Sequence, residues 1–132
     1  MADARTKLTP QQKIDLARKA YEEVNRGNAQ AGNYAPDAVW HSVIWGDIRG
    51  ADAIRATLQK QREALDDLKL EPHAILADDD HVVALLNMTM RLKGQTIQEK
   101  LVQVAHINDQ GQIVELWGTG GDPAQLKKLL GG

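Results

Sequence analysis

The chain has 132 residues, 42% apolar and 26% charged, with a formal net charge of −2, which fits one globular domain over residues 1–132, long enough for a real core. A slightly acidic balance argues against nucleic acid or an anionic membrane as the main partner, because both need a basic face. The absence of cysteine excludes disulfides, thiolate metal sites and a cysteine nucleophile. No stretch has the length of a membrane span, and "MADARTKLTPQQ" has no apolar core of leader length, so the expected setting is cytoplasmic.

In chain order, "LTPQQKIDLARKAYEEVNRG" predicts a helix over Thr9–Arg26. Thr9 is the N-cap, Pro10 takes the first helical position, Gln12 completes a capping box, and Gly27 suits the C′ site. Ile14, Ala17, Tyr21 and Val24 share one face at helical spacing. "NAQAGNYAPDA" is polar and glycine-rich, and predicts a turn or short helix. "AVWHSVI" predicts a short strand bounded by Pro36-Asp37 and Gly46-Asp47. Helical period returns in "GADAIRATLQKQREAL" through Ala51, Ile54, Leu58 and Leu65. Four strand-like runs follow, "LKLEPHAILA", "HVVALLNMTMRL", "TIQEKLVQVAHI" and "QIVELWGT". Their short, turn-like breaks favour hairpins and a mostly antiparallel sheet. Asp122 and Pro123 open a last short helix. Helices first and an antiparallel meander last define an α+β domain.

Element order and the quoted pieces "AYEEVNRGN", "YAPDAVWH", "IRGADAIRATL", "ILADDDHVVAL" and "INDQGQIVELW" resemble the SnoaL-like branch of the nuclear transport factor two and ketosteroid isomerase superfamily. The resemblance covers nearly the whole chain. It implies a cystatin-like fold, a strongly curved antiparallel sheet wrapped as a cone around N-terminal helices, with an apolar pocket at the open end. It also implies a cofactor-independent isomerase, polyketide cyclase, dehydratase or other lyase, or else a ligand-binding or assembly domain without catalysis, and most relatives need no cofactor or metal. Fold alone does not choose among these. Carried over residue by residue, the resemblance puts Ser42 where ketosteroid isomerase has its aspartate base and Gln103 where it has its oxyanion aspartic acid. The oxyanion tyrosine falls near Ala20 or Tyr21. An unassisted serine is too weak a base for carbon acids, so ketosteroid isomerisation is not expected.

The chain has no Phe, three Trp and two Tyr, yet Tyr34, Trp40 and Trp45 cluster around His41 and Ser42. Trp40, Trp45 and Trp117 are candidate flat walls for an apolar organic ligand, and each is equally readable as core or interface packing. His41 is the candidate proton carrier, with an unperturbed pKa of about 6.5. If Trp40 and Ser42 face inward, strand alternation turns His41 outward. Along "TIQEKLVQVAHI", Glu99 and Gln103 interrupt the apolar stripe Ile97, Leu101, Ala105, Ile107. A buried polar group needs a partner, which makes Gln103 a candidate hydrogen-bond donor and Glu99 a candidate rim base. Met88 and Met90 lie on the all-apolar face of "HVVALLNMTMRL" as adaptable lining. Tyr21 and Ser42 complete the expected ligand contacts.

The opposite face of these strands carries Val83, Val102 and Val104, which predicts a homodimer through the outer sheet face. "GTGGDPAQLKKLL" lacks phosphate-loop spacing. The four histidines are scattered, and "DDD" reads as a hairpin turn, so no metal site is expected.

Overall fold

The computed structural model describes residues 7–120 and 122–130. The reading of the first residues as lacking a leader, and Gly121 of the "GTGG" loop, lie outside them. Helix α1 spans Pro10–Asn25, and its start follows the local rules. The Thr9 hydroxyl accepts from the Gln12 amide, and the Gln12 side chain accepts from the Thr9 amide. Gly27 adopts φ of +103° just past its end, where a residue with a Cβ would be strained. The segment to Asn33 forms turns and no helix.

Strand β1 spans Tyr34–Ser42 and β2 spans Gly46–Arg49. Both differ from the sequence expectation. Pro36-Asp37 lies inside β1 and not before it, where the register against its neighbour shifts between Tyr34 and Val39. The predicted strand "AVWHSVI" ends early at Ser42 because residues 43–45 turn back. The Ser42 hydroxyl accepts from the amides of Ile44 and Trp45 and fixes this turn. β2 then pairs antiparallel with β1. Helix α2 spans Ala51–Glu63.

The meander is β3 (Asp67–Ala77), β4 (His81–Leu92), β5 (Gln95–Ile107) and β6 (Ile113–Gly120), each antiparallel to the next. β6 closes against β1 in parallel, giving the order β2-β1-β6-β5-β4-β3. Asp122 caps α3 (Pro123–Leu129) through the Gln125 amide. The architecture is α+β, a six-stranded, curved, mostly antiparallel sheet whose edge strands β2 and β3 leave it unclosed.

Alternation along β4 is complete, with Val82, Ala84, Leu86, Met88, Met90 and Leu92 all buried on the concave face. Ile14, Ala17 and Tyr21 of α1 pack against that face. Two polar residues secure the helix. Asn25 exchanges two hydrogen bonds with the Leu70 backbone, at 2.8 and 2.7 Å. Lys13 is 1% exposed, and its Nζ donates to the carbonyls of Asp79 and Ile107. No helix of the described residues is long and apolar enough to cross a membrane.

Candidate functional site

The concave face and the helices enclose a cavity of about 290 Å³. Its walls come from α1, α2, α3 and every strand except β2, because curvature turns one face of the sheet toward a common centre. They are overwhelmingly aliphatic. The polar lining consists of Tyr21, Asn33, Tyr34, Ser42, Gln61, Arg62, Gln103 and Thr119. Among the described residues no Asp, Glu, His or Lys lines it, and Arg62 is the one charged group that does.

One hydrogen bond organises the interior. The Tyr21 hydroxyl donates to Gln103 Oε1 at 2.7 Å. α1 supplies the tyrosine from its core-facing stripe, and β5 supplies the glutamine from the concave side of its alternation. In this arrangement Gln103 Nε2 is left to donate. Rotating the amide by 180°, which exchanges near-identical atoms, instead leaves the phenolic proton to donate. Burial pushes the Tyr21 phenol far above its usual range, with Tyr34 adding to the effect. Tyr34 is itself pushed up to about 12, chiefly by burial. Desolvation opposes the charged form, so both phenols stay protonated and serve as hydrogen-bonding groups. The Ser42 hydroxyl already accepts two backbone amides, so its contribution to the cavity is a donor.

The cavity brings together Tyr21, Trp40, Ser42, Met88, Met90 and Gln103 of the expected site. Trp40 is 8% exposed and packs among Tyr34, Ala38 and Leu116 while presenting part of its ring to the cavity. Four expected residues lie elsewhere. His41 is on the convex face, because its neighbours Trp40 and Ser42 take the inward positions of β1. There Nδ1 meets Asp47 Oδ1 at 2.8 Å and Nε2 meets Glu115 Oε2 at 2.5 Å. Two carboxylates on both ring nitrogens favour the doubly protonated ring, and its pKa is raised, first by Glu115 and then by Asp47. Trp117 is convex as well, stacked on His41 at 5.5 Å between ring centroids, because Leu116 takes the inward place. Glu99 is half-buried beside Met88 on β4, on the concave side of β5 but not among the cavity-lining residues. Trp45 sits on the turn after β1, with its indole Nε1 buried and without an acceptor among the described residues.

The sequence reading placed Tyr34 in the aromatic cluster and missed Asn33, Gln61, Arg62 and Thr119 as lining residues. For α2 a signal was present. The stripe Ile54, Leu58, Leu65 steps through position 62, so a charged residue there faces the core. Among the described residues no three His, Asp or Glu groups gather as metal ligands would.

The SnoaL-like domain family model matches residues 17–116, and the chain belongs to that family. No curated protein sequence matches it. Among solved structures, a protein of unknown function with a cystatin-like fold from Xanthomonas campestris is 23% identical, with 91% of this chain and 98% of that one covered and a TM-score of 0.78. An epoxide hydrolase of M. tuberculosis, likened to LEH, is 18% identical, covering 92% and 90%, with a TM-score of 0.74. SalBIII, an epoxide hydrolase/cyclase-like enzyme of pyran ring formation in polyether salinomycin, is 18% identical, covering 84% and 92%, with a TM-score of 0.71. At these identities the likeness concerns the fold.

Proposed function

We propose that the protein binds a small, largely apolar, oxygenated organic molecule in the cavity and polarises one of its oxygens through the Tyr21–Gln103 pair. The observation that carries this reading is the 2.7 Å hydrogen bond between these two residues on an otherwise aliphatic wall. A donor held ready in a dry site is worth more than in water and stabilises charge developing on a carbonyl or ether oxygen. The reaction class this serves is a cofactor-independent isomerisation, cyclisation or dehydration. SalBIII and the M. tuberculosis epoxide hydrolase show that the fold accommodates ring-forming and ring-opening enzymes. His41 carries no role in this cavity, since it faces the other way.

A second reading, binding without catalysis, has its own observation. No carboxylate or imidazole lines the cavity among the described residues, so no side chain there is suited to remove a proton at neutral pH. One experiment separates the two. 1-Tetralone and its deoxygenated analogue tetralin are titrated by calorimetry, and α-hydrogen exchange of the ketone is followed by NMR in D₂O. The proposal expects the ketone to bind more tightly, with the difference lost in Gln103→Leu. Accelerated exchange that Gln103→Leu slows supports catalysis, binding without exchange supports the second reading, and equal affinity for ketone and hydrocarbon refutes polarisation.

We further propose that the convex face pairs with a second copy of the chain. Val83, Leu85, Val102 and Val104 remain half-exposed there beside Trp117, and a contiguous exposed apolar patch marks an interaction surface.

A further inference from the structure

Resting on the ligand-binding reading of the cavity, we propose that its ligand is an acid, with an anionic head held by Arg62 and Gln61 of α2 and an apolar body lying along the methionine-lined wall. Three observations meet here. Arg62 is the one charged residue among the described lining, and it forms no ion pair within the described residues. Its Nη1 donates to the Leu65 carbonyl at 3.1 Å, which holds the guanidinium at the end of α2. Its Nε is closed off from solvent and has no acceptor.

Gln61 Nε2, on the adjacent residue, is in the same condition. So is Trp45 Nε1, on the turn whose Val43 and Ile44 border the same cavity. Buried N–H groups without acceptors are rare in folded proteins and costly to keep. Two of the three, on Gln61 and Arg62, belong to residues that line this one cavity, and all are donors. A carboxylate or enolate supplies what they lack, since it accepts several hydrogen bonds and neutralises the guanidinium. A neutral ketone has two lone pairs and no charge, so it serves the Tyr21–Gln103 pair and leaves Arg62 uncompensated. Leu58, Leu65, Leu68, Met88, Met90 and Leu126 give the body of the ligand an aliphatic, adaptable wall.

The test compares 2-naphthoate with its neutral counterpart 2-acetylnaphthalene by titration calorimetry at pH 7. The parent protein is expected to bind the acid about tenfold or more tightly, as charge-assisted hydrogen bonds exceed neutral ones. Arg62→Met should remove that preference by weakening the acid far more than the neutral ketone. Arg62→Lys, which keeps the charge but not the fork, should keep part of it. Melting curves of both variants check that the fold is intact. If the parent binds 2-acetylnaphthalene as tightly as the acid, or if Arg62→Met keeps the preference, the acid subsite is refuted and the cavity reading stands. If neither compound binds, both fall together.

Discussion

Lys13 offers a direct test of how α1 is fastened over the cavity. Its side chain runs inward at 1% exposure and ends on two backbone carbonyls, at Ile107 at the end of β5 and at Asp79 in the β3–β4 turn. Lys13→Met keeps the length of the stem and deletes Nζ. The Ile107 carbonyl, 2.7 Å from Nζ in a buried setting, then loses this partner, and an orphaned buried acceptor costs about 1–3 kcal/mol. Asp79 is on an exposed turn, where water replaces the lost donor and adds little. Against this, methionine no longer requires an amine to be desolvated, which recovers part of the loss. The expected balance is a destabilisation of about 2 kcal/mol. For a domain of 132 residues, at about 4 °C per kcal/mol, that is a drop of about 8 °C in Tm. Thermal and urea unfolding followed by circular dichroism read it directly. A variant melting within about 2 °C of the parent, or above it, would show that burying the amine costs as much as its two bonds return, and Lys13 would not be a fastening.

Thr9→Ala removes one half of the capping box and should lower stability by about 1 kcal/mol, read as a shift of the urea midpoint at constant slope. His41 has a raised pKa in the fold, through Glu115 first and Asp47 second. Folding therefore favours its protonated form, and the bridge stabilises fully below the ordinary value of about 6.5 and fades as pH rises through the raised one. His41→Gln should flatten the decline of stability above pH 6.5, and an unchanged slope in pH-dependent melting would rule the bridge out as its source. Val104→Lys, at the centre of the convex face between Val83 and Trp117, should convert a particle of twice 14.5 kDa into the monomer in light scattering. A parent that is already monomeric at micromolar concentration would remove the dimer proposal.

The parts of the fold legible in the sequence are those set by local rules. Thr9, Pro10 and Gly27 mark α1 because each satisfies a requirement of the helix end itself. The concave face of β4 was legible because all six alternate positions are apolar. β2 was not, since its four residues are mostly exposed and carry no alternation. It exists because β1 offers it a partner. The start of β1 was hidden by Pro36-Asp37, which signals a turn in isolation and here marks a register shift within the strand. In the site, Gln103 stood out as a polar break in an apolar stripe. Its partner Tyr21 was not legible: the resemblance put an oxyanion tyrosine only near Ala20 or Tyr21, and it is the packing of α1 on β5 that joins Tyr21 to Gln103. Arg62 required noticing that an apolar helical stripe contains a charge, a weak signal because a long side chain there usually reaches solvent.

The two faces of the sheet divide the chain's polar chemistry in a way that constrains what the cavity does. The imidazoles of His41, His81 and His106 stand on the convex side, where His41 and His81 lie against Trp117 and His81 lies beside His106. The cavity lining keeps phenols held protonated by burial, the side-chain amides of Asn33, Gln61 and Gln103, the hydroxyls of Ser42 and Thr119, and one guanidinium. Apart from amide and hydroxyl oxygens, these are hydrogen-bond donors, and none takes up a proton at neutral pH. Such a cavity stabilises negative charge that a ligand brings with it or develops, and it does so across a wide pH range because its own groups do not change state. On the reading proposed above, any reaction there draws its proton acceptor from the ligand or from water. Its rate should then follow the ionisation of the ligand and be unaffected by His41→Gln. A pH–rate profile that shifts with that substitution would place the proton transfer outside the cavity described here.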